Sequence, residues 1–385
     1  MYKKIIFSII IICSIVLGFF LSNKYVFNNA EDKTTEQDIQ TIAEQNLSID
    51  EKVDKIVSSM SLTEKIGQMM MIGIHGTDIT DDSVYMLNQY HIGGIILFDR
   101  NMQSVEQVKI LTKNLQDNAN QKVPLFIGID EEGGDVVRMA EALTPPPSQQ
   151  EIGATNDPNQ ARKWAVKTAQ SLRNMGINVN FAPVADVGSK DTRSYSEDFN
   201  TVTAFVKEAA DGYEQENMIY ALKHFPGIGK GKVDSHLEGS TIDISKEALL
   251  TEDIFPFKTI IAGKTPENYF ILVSHLTYTD IDNENPASLS KKVMTDLLRN
   301  ELGFNGIIIT DDLEMGAIAN HESFRNIGVR AINAGADIIL VCHEYEHETE
   351  AYLGLLDAVN NGEISQERID ESVKRIVKAK LLHLM

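Results

Sequence analysis

The sequence predicts an α/β protein whose strands and helices alternate in a (β/α)8 barrel, also called a TIM barrel. Eight short apolar runs rich in β-branched residues recur about every 38 residues, a spacing that suits repeated strand–helix units. Each run is apolar along most of its length, which is typical of a parallel strand buried on both faces. Several runs end in polar residues, and in a barrel such ends meet at one mouth.

The predicted strands follow one another from residue 69 to residue 342. Their sequences are MMMIGI from Met69, IGGIILF from Ile92, PLFIGID from Pro124, VNFAPVADV from Val179, IYALKHF from Ile219, YFILVSH from Tyr269, NGIIITDD from Asn305 and ADIILVC from Ala336. The polar residues at or just beyond the ends of these runs are Asp130, Asp186, His224, His275 and Asp311. A doubly wound open sheet is the alternative fold, and it would spread these residues along one edge.

The segments between the strands carry helix signals. Residues 61–64 read Ser-Leu-Thr-Glu, a capping box that predicts a helix start ahead of KIGQMM. Residues 291–302, KKVMTDLLRNEL, have helical spacing and precede Gly303, a residue type that often ends helices. The same period in SVKRIVKAKLLHL, residues 372–384, predicts a helix near the end of the sequence.

The N-terminal segment differs in composition from the predicted barrel. In residues 1–27, two lysines precede an apolar run from Ile5 to Leu21, which predicts a signal peptide or a signal anchor. We favour an uncleaved anchor because no small-residue cleavage site follows the run closely. The lysines would stay in the cytoplasm, so the remainder is expected at the extracytoplasmic surface of a bacterium, membrane-anchored or secreted. Residues 28–48 read as a polar linker, and residues 49–385 as the barrel domain.

The charge balance excludes two classes of partner. Lys and Arg number 35 and Asp and Glu 56, for a net charge of −21. Such a chain has no extended basic surface for nucleic acid or anionic lipid, so membrane contact is expected through the N-terminal segment only.

The two cysteines, Cys13 and Cys342, exclude a disulfide scaffold and an all-cysteine zinc site. The oligomeric state does not follow from these observations.

Two segments carry candidate acid–base residues. The glycine-rich stretch from Lys223 to His236 places Asp234 two residues before His236, and a carboxylate beside an imidazole suits proton transfer near neutral pH. A solvated loop with an incidental Asp-x-His sequence is the alternative. At the end of the seventh run, one of Asp311 and Asp312 could be a nucleophile while the other points away and caps the following helix.

Two further segments could hold a metal ion. Asp130-Glu-Glu-Gly-Gly134 could bind sugar hydroxyls or a metal, or begin a helix. His343-Glu-Tyr-Glu-His347 matches the H-E-x-x-H zinc motif, in which both imidazoles share one helix face and Glu344 is the base. It follows the eighth run directly and has no evident third ligand, so we take it as the weaker alternative.

Taken together, these segments resemble the family 3 glycoside hydrolases, in their bacterial β-N-acetylglucosaminidase branch. The matching stretches are GGIILFDRN (93–101), PLFIGIDEEGGDVVRM (124–139), GINVNFAPVADVG (176–188), TRSYSED (192–198), ALKHFPGIG (221–229), VDSH (233–236), PASLS (286–290) and LLRNELGFNGIIITDDLEMGAI (297–318). The resemblance implies a (β/α)8 barrel that removes terminal N-acetylglucosamine from β-linked glycans with retention, without a metal or organic cofactor. Peptidoglycan fragments are the expected substrate.

The resemblance also implies a role for individual residues. Asp311 would be the nucleophile, His236 the general acid/base and Asp234 its partner. The residues expected to hold the sugar are Asp130, Arg138, Arg193, Lys223 and His224. This sequence departs from the family pattern at Ile228, where a histidine is usual, and at Glu131, where a glutamine is usual. A phosphorylase, a β-glucosidase of the same family and a non-catalytic sugar-binding barrel are the remaining alternatives.

Overall fold

The computed structural model describes residues 47–139, 144–188, 191–229, 240–320 and 322–385. The chain divides into two units, Met1–Lys52 and Val53–Met385. The predicted signal or anchor segment, residues 1–27, and most of the predicted linker lie outside the described ranges. Within those ranges, no helix is both long enough and apolar enough to cross a bilayer.

Eight parallel strands close into a barrel, and each of them arises from one of the eight predicted runs. In chain order the strands are β1 Met70–Ile72, β2 Gly94–Leu97, β3 Phe126–Ile129, β4 Val179–Asn180, β5 Ile219–Phe225, β6 Thr241–Ile242, β7 Tyr269–Val273, β8 Thr277–Tyr278, β9 Ile307–Asp312 and β10 Ile338–Val341. The barrel order is β1-β10-β9-β7-β5-β4-β3-β2, while β6 and β8 form a separate small sheet. Because β1 pairs with β10, the barrel is closed and the open-sheet alternative is wrong.

Helices separate the barrel strands. They are α1 Ile49–Ser59, α2 Leu62–Gln68, α3 Asp81–Gln89, α4 Val105–Asn118, α5 Gln149–Ala154, α6 Asn159–Asn174, α7 Phe199–Gln215, α8 Lys246–Thr251, α9 Phe255–Gly263, α10 Gly316–Ala319, α11 Phe324–Ala334, α12 Tyr345–Asn360 and α13 Gln366–His383. The predicted capping box is present, since Ser61 accepts the amide of Glu64 and Glu64 accepts the amide of Ser61. The predicted final helix is α13.

One helix differs in type from its prediction. Residues Lys292–Glu301 form a π-helix, in which the Leu302 amide bonds to the Leu297 carbonyl, and Gly303 follows with φ +75°. Its buried apolar side chains are Val293, Met294, Leu297 and Leu298. These positions fall on one face in an α-helix or in a π-helix, so hydrophobic spacing could not distinguish the two.

Apolar side chains fill the interior of the barrel below its mouth. The rings of Phe126 and Phe270 pack edge to face with centroids 5.2 Å apart. A Cβ atom on Gly128 would lie 2.6 Å from Met71 and 2.8 Å from Phe181, so a larger residue there would require these side chains to move. The barrel is therefore a packed core rather than a pore, and any cavity at its mouth has a closed floor.

Two strands contain an extra residue near their carboxyl ends. Between β5 and β7, the register moves from Leu222↔Ile271 to Phe225↔Val273. The chain therefore advances three residues along β5 where it advances two along β7. Between β9 and β10, it moves from Ile338↔Ile309 to Leu340↔Asp312, so β9 gains one residue. Bulges of this kind break the strict alternation of side chains. Each strand can then present two consecutive side chains to the mouth.

Candidate active site

A cavity of about 500 Å³ lies at the carboxyl ends of the barrel strands. The extra residue in β5 lets both Lys223 and His224 line it, and the extra residue in β9 does the same for Asp311 and Asp312. The other predicted site residues that line the cavity are Asp130, Arg138 and Arg193. Six of the eight predicted site residues are thus brought together around one space.

Lys223 is the centre of a buried ionic cluster. Its Nζ lies 2.6 Å from Asp130 Oδ1 and 2.5 Å from Glu132 Oε1. Arg193 forms two bonds of 2.8 Å to the Glu132 carboxylate. Burial alone would lower the pKa of Lys223, but the carboxylates of Asp130 and Glu132 raise it above its usual value. Burial opposes ionisation of Glu132 as well, yet Lys223 and Arg193 hold its pKa below the usual range.

His224 is oriented by partners at both ring nitrogens. Its Nδ1 lies 2.8 Å from Asp186 Oδ2, and its Nε2 lies 3.1 Å from Arg193 Nη2. A guanidinium group only donates hydrogen bonds, so Nε2 accepts from Arg193 and Nδ1–H donates to Asp186. Asp186 also accepts the amide of Ile228 at 2.9 Å. The carboxylate thereby fixes both the imidazole and the start of the loop after β5.

Asp311 is the last residue but one of β9, and its half-buried carboxylate lines the cavity. Its Oδ1 accepts the amide of Asp312 at 2.9 Å. Burial would raise the pKa of Asp311, but the His275 imidazole, the Asp312 amide and the Lys223 cation lower it overall. The ionised carboxylate is therefore favoured at neutral pH, as a nucleophile requires.

Arg138 belongs to the loop after β3. Its Nη2 lies 3.4 Å from Asp130 Oδ2, and its guanidinium lies over the Phe98 ring, 5.4 Å from the centroid. The loop turns at Gly133 and Gly134, which have φ +105° and +58°. A Cβ atom on Gly133 would lie 2.3 Å from the Pro147 carbonyl oxygen, so the turn that returns Arg138 to the cavity depends on glycine.

Glu131, one of the departures from the family pattern, is buried beneath this loop. Its Oε2 accepts the Arg138 amide at 2.9 Å, and its Oε1 has no hydrogen-bond partner among the described residues. Burial raises the pKa of Glu131 to about 7, although the Arg138 amide opposes the shift. The group is thus close to half protonated at neutral pH, and its ionisation is costly in the folded state.

We expect Glu131→Gln to remove a pH dependence of stability. Unfolded Glu131 ionises near pH 4.5 and the folded residue near pH 7, so its penalty is absent below pH 4.5, grows up to about pH 7 and is then constant. At pH 8 the penalty is about 3 kcal/mol, and the variant should be more stable by a similar amount. Denaturant unfolding at pH 4.5 and pH 8 measures the difference.

Glu247→Gln is the matched control, because Glu247 is exposed in the first turn of α8. It should keep the pH dependence of the wild-type protein. If the stability of Glu131→Gln depended on pH as that of the wild-type protein does, the pKa of Glu131 would be the same in the folded and unfolded protein.

The expectation that one of Asp311 and Asp312 points away to cap the next helix is wrong, because the cavity is lined by Asp311 and also by Asp312. The Oδ1 of Asp312 accepts the Glu314 amide at 3.1 Å, and its Oδ2 lies 3.2 Å from His343 Nε2 at the cavity wall. Met315 is the residue that precedes α10. The extra residue in β9 explains the difference, because it turns both carboxylates towards the mouth.

The zinc-motif residues do not adopt the expected arrangement. His343 precedes α12, which begins at Tyr345, so His343 and His347 do not share a helix face. His347 Nδ1 lies 2.6 Å from Glu314 Oε1, whereas His343 contacts Asp312. Among the described residues, no three His, Cys, Asp or Glu side chains converge in a way that could hold a metal ion. The helical zinc-site interpretation is therefore wrong.

The predicted acid–base pair, Asp234 and His236, lies outside the described residues. Sequence reasoning also gave no individual role to two site residues, Glu132 and Asp186. Asp186 had been noted at a strand end, and Glu132 stands in the acidic run after β3, so position relative to the strands was the available signal. Their partners, Lys223, Arg193 and His224, are far away in the sequence.

Comparisons with known proteins agree with this architecture. The family model described as "Glycosyl hydrolase family 3 N terminal domain" matches residues 61–379. Beta-hexosaminidase A of Pseudoalteromonas piscicida is 36% identical over 326 residues, 77% of this chain and 54% of that protein. Beta-hexosaminidase of Actinobacillus pleuropneumoniae serotype 5b (strain L20) is 34% identical over 297 residues, 74% of this chain and 84% of that protein.

A solved structure of a family 3 beta-N-acetylglucosaminidase from Paenibacillus sp. str. FPU-7 superposes with a TM-score of 0.81 at 37% identity. The match covers 84% of this chain and 62% of that one. This chain therefore spans less than two thirds of the Pseudoalteromonas and Paenibacillus proteins, but most of the Actinobacillus protein. Since the family model covers residues 61–379 and the fold and motifs agree with it, the chain belongs to glycosyl hydrolase family 3.

Proposed function

We propose that this protein is a retaining β-N-acetylglucosaminidase that removes terminal N-acetylglucosamine from β-linked glycans. The observation that carries the proposal is the position of an ionised Asp311 at a cavity walled by the Lys223 cluster and His224. Asp130, Arg138 and Arg193 add the carboxylate and guanidinium groups that bind sugar hydroxyls well. The relatives called beta-hexosaminidase support the same activity.

The reaction would proceed through two displacements at the anomeric carbon. Asp311 attacks that carbon and forms a glycosyl ester while the bond to the leaving oxygen breaks. His236 gives its proton to the leaving oxygen, and Asp234 offsets the charge of the imidazolium. His236 then takes a proton from water, whose oxygen attacks the anomeric carbon and releases Asp311. Two inversions give a product with the original β configuration.

The closed floor of the cavity limits how far a glycan can enter it. Below Asp311 the barrel is filled by Phe126, Phe270 and their neighbours, so a glycan cannot pass through. A terminal sugar can enter the cavity and leave the rest of the glycan at the mouth.

A panel of aryl glycosides tests the proposal on the full chain. The N-acetyl-β-glucosaminide should be hydrolysed with a kcat/KM far above that of the β-glucoside, with β-N-acetylglucosamine as the first product by NMR. Faster hydrolysis of the glucoside would indicate a β-glucosidase. Turnover that requires phosphate and yields a sugar phosphate would indicate a phosphorylase. Binding without turnover of any glycoside would indicate a non-catalytic barrel.

We expect His236→Ala to slow substrates according to their leaving group. A poor leaving group needs the proton that His236 supplies, whereas a dinitrophenolate departs without it. The loss in kcat/KM should be at least about tenfold greater for an alkyl leaving group than for dinitrophenol. Steady-state rates for the two substrates give the ratio, and equal losses would assign the acid role to another group.

We also propose peptidoglycan fragments as the natural substrate, at the outer face of the bacterial membrane. The N-terminal segment supports the location, because its two lysines and apolar run fit a signal peptide or anchor. Fractionation of cells that produce the full chain should place it in the membrane or the medium. The purified protein should release N-acetylglucosamine from wall digests, and retention in the cytoplasm would contradict the location.

A further inference from the structure

Phe98 and His343 form an aromatic wall at the mouth of the cavity, which we call the Phe98–His343 platform. Their ring centroids are 5.3 Å apart at an interplanar angle of 38°. Both residues line the cavity, and 46% of the His343 side chain is exposed. Phe98 follows β2 and His343 follows β10, so the platform stands on the side of β1, across the barrel from β5. The proposed displacements do not use it.

Both nitrogens of the His343 ring are already engaged by protein groups. Its Nε2 lies 3.2 Å from Asp312 Oδ2, and its Nδ1 lies 3.0 Å from Arg100 Nη1. Arg100 can only donate, so Nδ1 accepts and Nε2–H donates to Asp312. Proton transfer to a substrate would require one of these bonds to break. A ligand can therefore contact the face of the ring without displacing either hydrogen bond.

The backbone that carries His343 is held rigidly. The Glu314 carboxylate, which is 6% exposed, accepts the amides of Cys342, His343 and Glu344. It also bonds to His347 at 2.6 Å. Three successive amides bound to one buried carboxylate fix the turn after β10 before any ligand arrives. A face held in this way loses little conformational entropy on binding.

Charged groups of both signs surround the platform. The guanidinium groups of Arg100 and Arg138 lie 4.7 Å and 5.4 Å from the Phe98 centroid. The carboxylates of Asp99 and Asp312 contact Arg138 and the platform histidine, respectively. Asp130 also contacts Arg138, and the Glu314 carboxylate accepts the His343 amide, so the guanidinium groups lie among carboxylates and do not form a free anion site. The platform therefore suits an uncharged ring with an apolar face, such as a pyranose.

We infer that the Phe98–His343 platform binds the leaving-group sugar by stacking, an inference that rests on the proposed glycosidase function. With the terminal sugar in the cavity beside Asp311, the next sugar of the glycan would lie at the mouth. The C–H face of that pyranose packs on the imidazole of His343 and loses contact with water. His343 then determines affinity for glycan substrates without taking part in bond breaking.

The test compares a monosaccharide with a disaccharide. N-acetylglucosamine fills the cavity alone, whereas sulfur-linked N,N′-diacetylchitobiose, which resists hydrolysis, also reaches the platform. In calorimetric titrations of the full chain, His343→Ala should raise the Kd for the thio-disaccharide about two- to tenfold, the range expected for an aromatic contact. Its Kd for the monosaccharide should not change. His343→Phe should restore disaccharide binding to within about twofold, because it keeps the face and loses the nitrogens.

The inference would be overturned if His343→Ala raised the Kd for the monosaccharide as much as the Kd for the thio-disaccharide. It would also be overturned if His343→Phe bound the thio-disaccharide as weakly as His343→Ala does. Unchanged disaccharide binding in His343→Ala, with normal hydrolysis by the wild-type protein, would overturn the platform alone. A wild-type protein that neither binds N-acetylglucosamine nor hydrolyses its glycosides would overturn the proposed function and the platform together.

Discussion

Asp311→Ala should reduce turnover of an aryl N-acetyl-β-glucosaminide by at least ~10⁴-fold, because the variant lacks the proposed nucleophile and with it the covalent route. The fold should survive. Asp311 is half-buried at the mouth, and its carboxylate accepts a hydrogen bond from the neighbouring Asp312 amide. Initial rates measure the loss, and thermal unfolding should show a single transition near that of the wild-type protein.

A small anion should rescue this variant with an activated substrate. Azide can occupy the space of the missing carboxylate and attack the anomeric carbon as dinitrophenolate leaves, which gives an α-glycosyl azide. The α configuration would show that attack comes from the face that Asp311 uses. A β-configured azide, or wild-type rates without azide, would remove Asp311 from the nucleophile role.

Asp312→Asn is the matched control for Asp311→Ala. It removes a neighbouring carboxylate charge at the same strand end but keeps a side chain that can accept the Glu314 amide. We expect less than a tenfold change with aryl substrates, because this carboxylate contacts His343 rather than the proposed reaction centre. A loss as large as that of Asp311→Ala would mean that the two acids act as a unit.

Lys223→Met should damage both stability and activity. The substitution removes the cation between Asp130 and Glu132, and Lys223 and Glu132 are almost fully buried. Uncompensated buried charge costs about 3–5 kcal/mol. The misplaced Asp130 should also lower kcat/KM by on the order of 10²-fold or more. Denaturant unfolding and steady-state kinetics at one pH measure the two effects.

Lys246→Met is the control for this experiment. Lys246 bonds to Glu301 at 2.7 Å, but both side chains are more than 40% exposed. Such surface pairs contribute at most about 1 kcal/mol, and this one is remote from the cavity residues. If Lys223→Met unfolded at the same denaturant concentration as Lys246→Met, the buried cluster would not be a source of stability.

The fold was predictable because its signals are local. Each barrel strand is a short apolar run, and the capping box at Ser61 and the helical spacing of the last segment need only neighbouring residues. The polar residues at strand ends identified the mouth for the same reason. A barrel brings every strand end to one place, so position along a strand is enough to locate the site.

The partners within the site were not predictable in this way. The bonds of Glu132 to Lys223 and Arg193, and of His224 to Asp186, join residues that the fold alone brings close. The extra residue in β9 is also invisible in the apolar pattern, so the sequence did not predict that Asp311 and Asp312 both face the mouth. The resemblance to family 3 supplied residue roles that spacing left open.

The irregular ends of β5 and β9 have a consequence for attempts to redesign this barrel. Each places two adjacent functional groups in the reaction chamber at the expense of ideal pairing with its neighbour. Deleting one residue to idealise either strand would rotate a lysine, an imidazole or a carboxylate into the wall. A more regular β5 or β9 would therefore lose one of the functional groups that now face the cavity.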